Sequence, residues 1–269
     1  MKKLLEIYKN KIITNIKEFS DDYYYFYNYD ELFGISKSIS KTEYELLKLS
    51  YQEKVIYNKD SKLQKLYEFL YDNNSLLPRK TKLIMYPFKK EIDHIVSEML
   101  ESIFDITILD YKDIKVGFIK NLFDVDIFEI FDSLTIDINT DIYVHDAGYI
   151  ESLTGKELIT YIEGYRTSNK VIKNNSQVVD LIYDPNINNY SEFINICVKK
   201  LIYPIKEYID LVHSLFKNDL NVLKTSKELY INRNSILMKI EQIESKIGLN
   251  IQKFQNASAI KFLLAIARL

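Results

Sequence analysis

Ile236, Ile240, Ile243 and Ile247 recur at i, i+4, i+7 and i+11, which draws one narrow apolar stripe down a helix. Asn232, just ahead of the stripe, has the short polar side chain of an N-cap, and Gly248, just past it, suits the left-handed residue after a helix. The pattern predicts a helix from about Arg233 to Gly248. A shorter stripe of Val222, Ser226 and Leu229 precedes it, with Asp219 or Asn221 as its cap and Tyr230-Ile231-Asn232 as the connection. Two helices joined by so short a link, with the small Ser226 where their backbones approach, read as a helix-turn-helix. Before it, Ile202, Ile205, Ile209, Val212 and Phe216 trace another helix with Pro204 in its first turn. After it, Ile260, Leu263, Leu264 and Ala267 predict a final helix packed on the hairpin.

Upstream, the apolar positions switch between helical and strand periods. Leu5, Tyr8 and Ile12 share one face of a first helix. Tyr23-Tyr24-Tyr25-Phe26-Tyr27 favours a strand, and Asn28-Tyr29-Asp30 turns it into a second strand through Leu32, Phe33 and Ile35. Those aromatics could stack on bases, but packing into a core is the commoner fate of such a hairpin. Ser40-Lys41-Thr42-Glu43 is a capping box opening a helix with Leu46, Leu47 and Ser50 on one side. A helix around Leu63 to Tyr71 ends in the polar Asp72-Asn73-Asn74-Ser75 loop before Pro78.

A strand over 83–86, a helix over 91–103 and a strand over 106–109 follow, then a turn at 110–113 and an antiparallel strand over 114–119. A helix over 125–134, a strand over 141–144, a helix over 158–166 and a strand over 178–183 complete this stretch before Asp184-Pro185. The predicted class is α+β. Residues 1–76 form an N-terminal region with the aromatic hairpin, 77–186 an α/β domain, and 187–269 an all-helical domain.

If the second helix of the hairpin enters a major groove, its N-terminal end reaches base edges while the first helix's N-terminus abuts phosphate. Asn232, Arg233, Asn234 and Ser235 lie at the entering end, Met238 points away from the apolar stripe, and Lys239 flanks it within reach of phosphate. Lys224 and Thr225 open the preceding helix, where positive charge, hydroxyl and free amides favour phosphate oxygens. Glu241 and Glu244 place the far end outside the groove. The same pattern also describes a helical hairpin with a buried seam and a solvated charged face.

The segment from about Leu211 to the C-terminus resembles the DNA-binding domain of the PucR and CdaR type of bacterial transcriptional regulators, itself similar to the Fis-type helix-turn-helix. The resemblance rests on Asn232-Arg233-Asn234-Ser235-Ile236, Lys239-Ile240, Ile243-Glu244 and Gly248-Leu249, in the family's order. Asn232 stands where the family has histidine, and Leu237 and Met238 where it has arginine and tyrosine. Leu237 or Met238 could instead contact a thymine methyl. The resemblance implies a regulator of transcription that binds double-stranded DNA. The strand and helix order of residues 77–186 is similar to the degenerate, GGDEF-related cyclase-like domain found in such regulators. A homodimer is expected, because one short recognition helix gives limited affinity and two half-sites reinforce each other. The family also implies small-molecule effectors for some members, and no residue here identifies one.

Charge sharpens this picture. From residue 199 onward, twelve Lys or Arg stand against six Asp or Glu, a net of +6, which leaves −8 for the first 198 residues of a chain whose total is −2. A basic end suits DNA, and equally an acidic protein partner, so a non-enzymatic interaction module with a basic helical tail is the alternative reading. With 269 residues and nearly half of them hydrophobic, the chain can bury sizeable cores. No apolar run approaches the roughly 18 residues that span a bilayer, and Glu6 and Lys9 interrupt any secretory signal, so a cytoplasmic protein without membrane contact is expected.

Catalysis is not expected. The sole cysteine, Cys197, permits neither a disulfide nor a cysteine-based zinc site within one chain. The hairpin Leu109-Asp110-Tyr111-Lys112-Asp113-Ile114 lacks the paired glycines with which a cyclase approaches nucleotide phosphate. Asp110 and Asp113 could ligate a hard cation but read more simply as turn formers. His145-Asp146 resembles a metal-dependent phosphohydrolase dipeptide without its partner histidines, and His94 and His213 fall on separate helices. No phosphate-binding glycine loop or nucleophile elbow is present. No catalytic residue, metal or cofactor is therefore assigned.

Overall fold

The structure, a computed structural model, describes residues 2–14, 16, 20, 22–28, 31–54, 62–72, 80–120, 126–168 and 174–269. The turn at Tyr29-Asp30, the loop at Asn73-Asn74-Ser75 with Pro78, and the Val125 start of a helix lie outside these residues. The fold is α+β, with two sheets followed by a helical C-terminal region.

The first sheet is antiparallel in the order β1-β3-β2-β4, from β1 (Ile12–Thr14), β2 (Tyr23–Asn28), β3 (Glu31–Ser36) and β4 (Gln52–Lys54). Helices α1 (Lys2–Tyr8) and α2 (Lys41–Ser50) close its core, in which Phe26, Phe33 and Ile35 are fully buried. The tyrosine run belongs to that packing: Tyr24 stacks on Tyr44 with ring centroids 4.1 Å apart. The Ser40 capping box opens α2 as the sequence predicts, with its hydroxyl accepting from the Glu43 amide at 3.2 Å.

Two predicted faces shift here. In α1 the buried residue is Leu4, with Leu5 exposed, because the helix stops at Tyr8 and Ile12 joins a strand instead of extending a helical stripe. In α2, Leu47 is buried while Leu46 and Ser50 are exposed, because the inward stripe is set by Tyr44, Leu47 and Tyr51 at i, i+3 and i+7.

Helix α3 (Lys62–Tyr67) continues as a π turn over Glu68–Asp72, and Tyr71 of that turn stacks on Tyr27 at 4.1 Å, joining the first sheet to the rest. The second sheet runs β6-β7-β5-β8-β9, from β5 (Thr81–Pro87), β6 (Asp105–Tyr111), β7 (Ile114–Lys120), β8 (His145–Tyr149) and β9 (Ser176–Gln177). All pairings are antiparallel except β8 with β9. Strand alternation splits its residues between two cores. Ile84, Tyr86, Ile106 and Ile119 face α4 (Asp93–Ile103) and α5 (Ile127–Ile138). Leu83, Met85, Val116 and Phe118 face α6 (Gly155–Thr167) and, beyond it, the C-terminal helices.

Two predicted strands differ. Residues 141–144 are not a strand; Ile142 is held by the Thr135 hydroxyl and Val144 by the Asn175 side chain, and β8 begins at His145. Residues 178–183 contain the helix α7 (Val178–Leu181), and only Ser176–Gln177 pair as strand. A short continuous apolar run carries no period that separates strand from helix, and the Gln177–Asp180 cap, 2.7 Å, settles it locally.

The C-terminal region comprises α8 (Tyr190–Leu201), a 3₁₀ turn over Tyr203–Tyr208 with Pro204 in its first turn, α9 (Ile209–Lys217), α10 (Val222–Leu229), α11 (Arg233–Ile247) and α12 (Phe254–Ala267). The helix expected from Ile202 to Phe216 is thus divided, 3₁₀ first and α afterwards. Helix α12 packs mainly on α8 and α7 rather than on the hairpin, and α8 carries the apolar face that receives it.

His145 joins β8, β9 and α6. It is fully buried, with Nδ1 2.9 Å from the Ser176 hydroxyl and Nε2 2.9 Å from the Tyr161 hydroxyl. Burial, assisted by the Lys200 charge, lowers its pKa to about 3. The neutral ring is favoured in the folded state, so its contribution is fully present above the ordinary value near 6.5 and is lost as pH falls from there towards 3. Denaturant titrations between pH 6.5 and 5 should show the wild-type chain losing stability more steeply than His145→Gln, by about 1.4 kcal/mol per pH unit. Parallel slopes would refute the assignment.

Candidate nucleic-acid interface

Helices α9, α10 and α11 form a compact trihelical unit. α10 packs on α9, and α11 packs on α10 and on the 3₁₀ turn over Tyr203–Tyr208. Of the two residues expected to cap α10, Asn221 does so, its Oδ1 accepting from the Lys224 amide at 3.0 Å. Helix α10 ends at Tyr230, which adopts left-handed backbone angles with φ of 54° and is almost fully exposed. The Ser226 hydroxyl donates to the Ile231 carbonyl at 2.6 Å, and the Ile231 amide returns a bond to the Ser226 carbonyl at 3.2 Å. These two bonds fix the turn.

Asn232 then starts α11 by accepting the Asn234 amide at 2.8 Å, and Gly248 ends it with φ of 71°, its amide on the Glu244 carbonyl at 2.7 Å. The isoleucine seam lies inside: Ile236, Ile240, Ile243 and Ile247 are all buried.

Asn232, Arg233 and Asn234 are exposed and contiguous at the start of α11, with Ser235 half-buried beside them. Met238, one turn on, is 60% exposed on the same outward side. Leu237 is half-buried. Lys224 is exposed in the first turn of α10. Thr225 departs from its expected role: it is fully buried and its hydroxyl donates to the Asn221 carbonyl at 3.0 Å. Position 225 lies on the inward face of α10 beside the half-buried Ser226, so Thr225 offers nothing to phosphate.

Lys239 is half-buried, with its ammonium 5.8 Å from the Tyr208 ring centroid. Lys246 lies 6.0 Å from the same ring and 3.2 Å from Glu207, and the Tyr208 hydroxyl donates to Gln242 at 3.1 Å. Tyr208 is half-buried, and a cation over a tyrosine ring contributes about 0.5–1 kcal/mol or more, so Tyr208 orients Lys239. Tyr208 was not singled out from the sequence, because no spacing rule links a residue of the 3₁₀ turn to one on α11. Lys217 and Asn218 hold Glu228 on the far side of α10, with the lysine 2.6 Å away, and keep its carboxyl below the usual range.

The other sequence candidates are engaged elsewhere. Asp110 pairs with Lys115 at 2.6 Å, Asp113 lies 3.6 Å from Arg166, and Glu163 accepts from Tyr111 at 2.7 Å, so ion pairs and a hydrogen bond tie the β6–β7 turn to α6. Asp146 pairs with Lys82 at 2.7 Å. Cys197 is fully buried, and burial pushes its thiol up to about 12. Among the described residues, no three His, Cys, Asp or Glu side chains gather as metal ligands, and no helix is long and apolar enough to cross a membrane.

No family model and no curated protein matches the chain. Among solved structures, it is similar to the regulator of polyketide synthase expression from Bifidobacterium adolescentis, at 12% identity and a TM-score of 0.36, over 70% of this chain and 80% of that one. Nothing about the chemistry of this chain follows from a likeness at that level.

The seam and the outward face make opposite demands on substitution. Ile240→Ala should lower stability by about 2–5 kcal/mol, while Met238→Ala should change it by less than about 0.5 kcal/mol. Equilibrium unfolding in urea distinguishes the two, and a comparable loss in both would place Met238 in the core.

Proposed function

We propose that the chain is a DNA-binding transcriptional regulator in which α10, its turn and α11 form a helix-turn-helix that reads duplex DNA in the major groove. The observation that carries this reading is the start of α11: a capped helix end exposing Arg233 and Asn234 while the isoleucine seam anchors the opposite face. Arg233 and Asn234 have the donor geometry for base edges, with Arg suited to guanine and Asn to adenine. Met238 supplies an apolar contact for a thymine methyl, and Lys224 and Lys239 supply phosphate contacts. The net +6 of residues 199–269 supports the same partner, as does the resemblance of the Asn232 to Leu249 stretch to PucR and CdaR type regulators. The upstream sheets serve dimerisation, signal sensing or both, in a cytoplasmic homodimer, and no catalytic step is assigned to them.

A specific observation favours a second reading, a protein-binding module. Leu223, Tyr230 and Met238 are all more than half exposed on α10, the turn and α11. A protein partner gripping those side chains would bind with little dependence on salt.

DNA binding should instead weaken steeply with salt, with a log–log slope of about −0.9 per phosphate neutralised. In mobility-shift titrations against DNA fragments recovered with the protein from its own cells, Arg233→Ala should cost about 1–3 kcal/mol and relax sequence preference. Lys239→Ala should reduce the salt slope by about one. Equal affinity of the doubly substituted and wild-type chains, with circular dichroism unchanged, would eliminate the helix-turn-helix reading.

A further inference from the structure

A cavity of about 740 Å³ lies between the edge of the second sheet and the rear of the C-terminal helices, away from the entering end of α11. Strand β8 lines one side with Asp146 to Tyr149, α8 contributes Lys200, and the last turn of α11 with Gly248 and Leu249 forms the opposite wall. Its volume is that of a small-metabolite site.

Lys200 is the unusual residue in that wall. It follows Phe193, Ile196 and Cys197 on the apolar face of α8 and is 4% exposed. Its ammonium carries three donors, and one goes to the Tyr149 carbonyl. Among the described residues, no carboxylate lies within 4 Å of it, because Asp146, the acid of β8, is taken by Lys82 at 2.7 Å and by the Gly148 amide at 2.8 Å. Burial lowers the Lys200 pKa to about 8, which still leaves it charged at neutral pH. Asp146 supports that charge through space without forming an ion pair with it, and an anion in the cavity would supply the direct partner that a buried charge needs. The lining as a whole has four lysines against three carboxylates, an excess of one positive charge.

We propose that this cavity binds a small metabolite through its oxyanion group, a carboxylate or a phosphate, with Lys200 as the anchoring cation. Because the last turn of α11 forms one wall and β8 the other, occupancy biases the seating of α11 on the sheet and makes the cavity an effector site. That regulatory role rests on the DNA-binding reading, whereas the anion site does not.

Glycine-selective ¹⁵N labelling gives a direct test, since the chain has six glycines and two of them, Gly148 and Gly248, line the cavity. Sodium phosphate and sodium malonate are titrated separately against sodium chloride of equal ionic strength. The expected result is a saturable shift confined to Gly148 and Gly248, with affinity at least about tenfold weaker in Lys200→Met. The anion that saturates at the lower concentration identifies a phosphate or a carboxylate ligand. Movement of all six signals alike, no movement, or the same saturation in Lys200→Met means an adventitious ion only and overturns the site. Should Lys200→Met fail to fold, confinement of the shifts in the wild-type chain decides. A mobility shift with the saturating probe tests the regulatory role separately: unchanged DNA affinity overturns the coupling, while absence of any DNA binding overturns the DNA reading and leaves the glycine result standing.

Discussion

The burial of both faces of the second sheet governs the rest of the molecule. Central strands β5 and β7 have no solvated side, so each needs apolar cover above and below. Helices α4 and α5 cover one face, and α6 covers the other. A single layer of helix leaves α6 with apolar surface of its own. Phe193 of α8 stacks on Tyr161 of α6 at 5.3 Å, and Gly164 lacks the Cβ that would lie 2.5 Å from the Phe193 ring. That close approach carries one continuous apolar core from Leu83 and Val116 of the sheet through α8 to Ile240 and Ile247 of α11. The isoleucine seam is therefore seated on the sheet-bearing part of the chain, and the core crosses residue 186, where the predicted elements turn from mixed to all-helical.

Strand β8 brings several polar groups into that core together with their partners. His145 spends both ring nitrogens on hydroxyls, and Asp146 spends its oxygens on Lys82 and the Gly148 amide. Lys200, one helix away, has the Tyr149 carbonyl and no ion pair, with Asp146 acting on it only through space. Within a few ångströms of strand, one arrangement is closed to further chemistry and the next is open to an incoming anion.

The sequence disclosed those elements whose ends are chemically marked. α11 was legible because Asn232, four isoleucines and Gly248 agree on its start, face and end, and α2 because Ser40 and Glu43 box its first turn. Unmarked runs were ambiguous: residues 178–183 and 141–144 have apolar, β-branched residues in stretches too short to show a period, and local side-chain bonds decided them. Faces were misread by a single position where Leu5 was taken for Leu4 and where Leu46 was set beside Leu47, and a one-residue error turns the inward side of a helix by about 100°. Lys200 left a trace that was readable, a lysine at i+7, i+4 and i+3 from Phe193, Ile196 and Cys197 on an apolar face. What no pattern could show is that the helix beside it ends at a cavity, since that depends on how α8 and α11 meet.

The net charge of the C-terminal region overstates what α11 can offer a polyanion. Lys199 is committed to Glu157 at 2.7 Å, Lys217 to Glu228 at 2.6 Å, and Lys246 to Glu207 at 3.2 Å, while Lys200 is buried in the wall behind. On the outward side of α10 and α11, the cations in reach are Lys224, Lys227, Arg233 and Lys239, with Glu241 exposed nearby. So few phosphate contacts give modest counter-ion release, and the apolar Leu237 and Met238 add shape and methyl contacts instead of charge. On the proposed reading, one copy of this surface would hold DNA weakly and with low non-specific background. Specific binding then requires a second copy at a fixed spacing, and a ligand that alters how the last turn of α11 sits on β8 would act on the angle between the two reading helices rather than on any base contact.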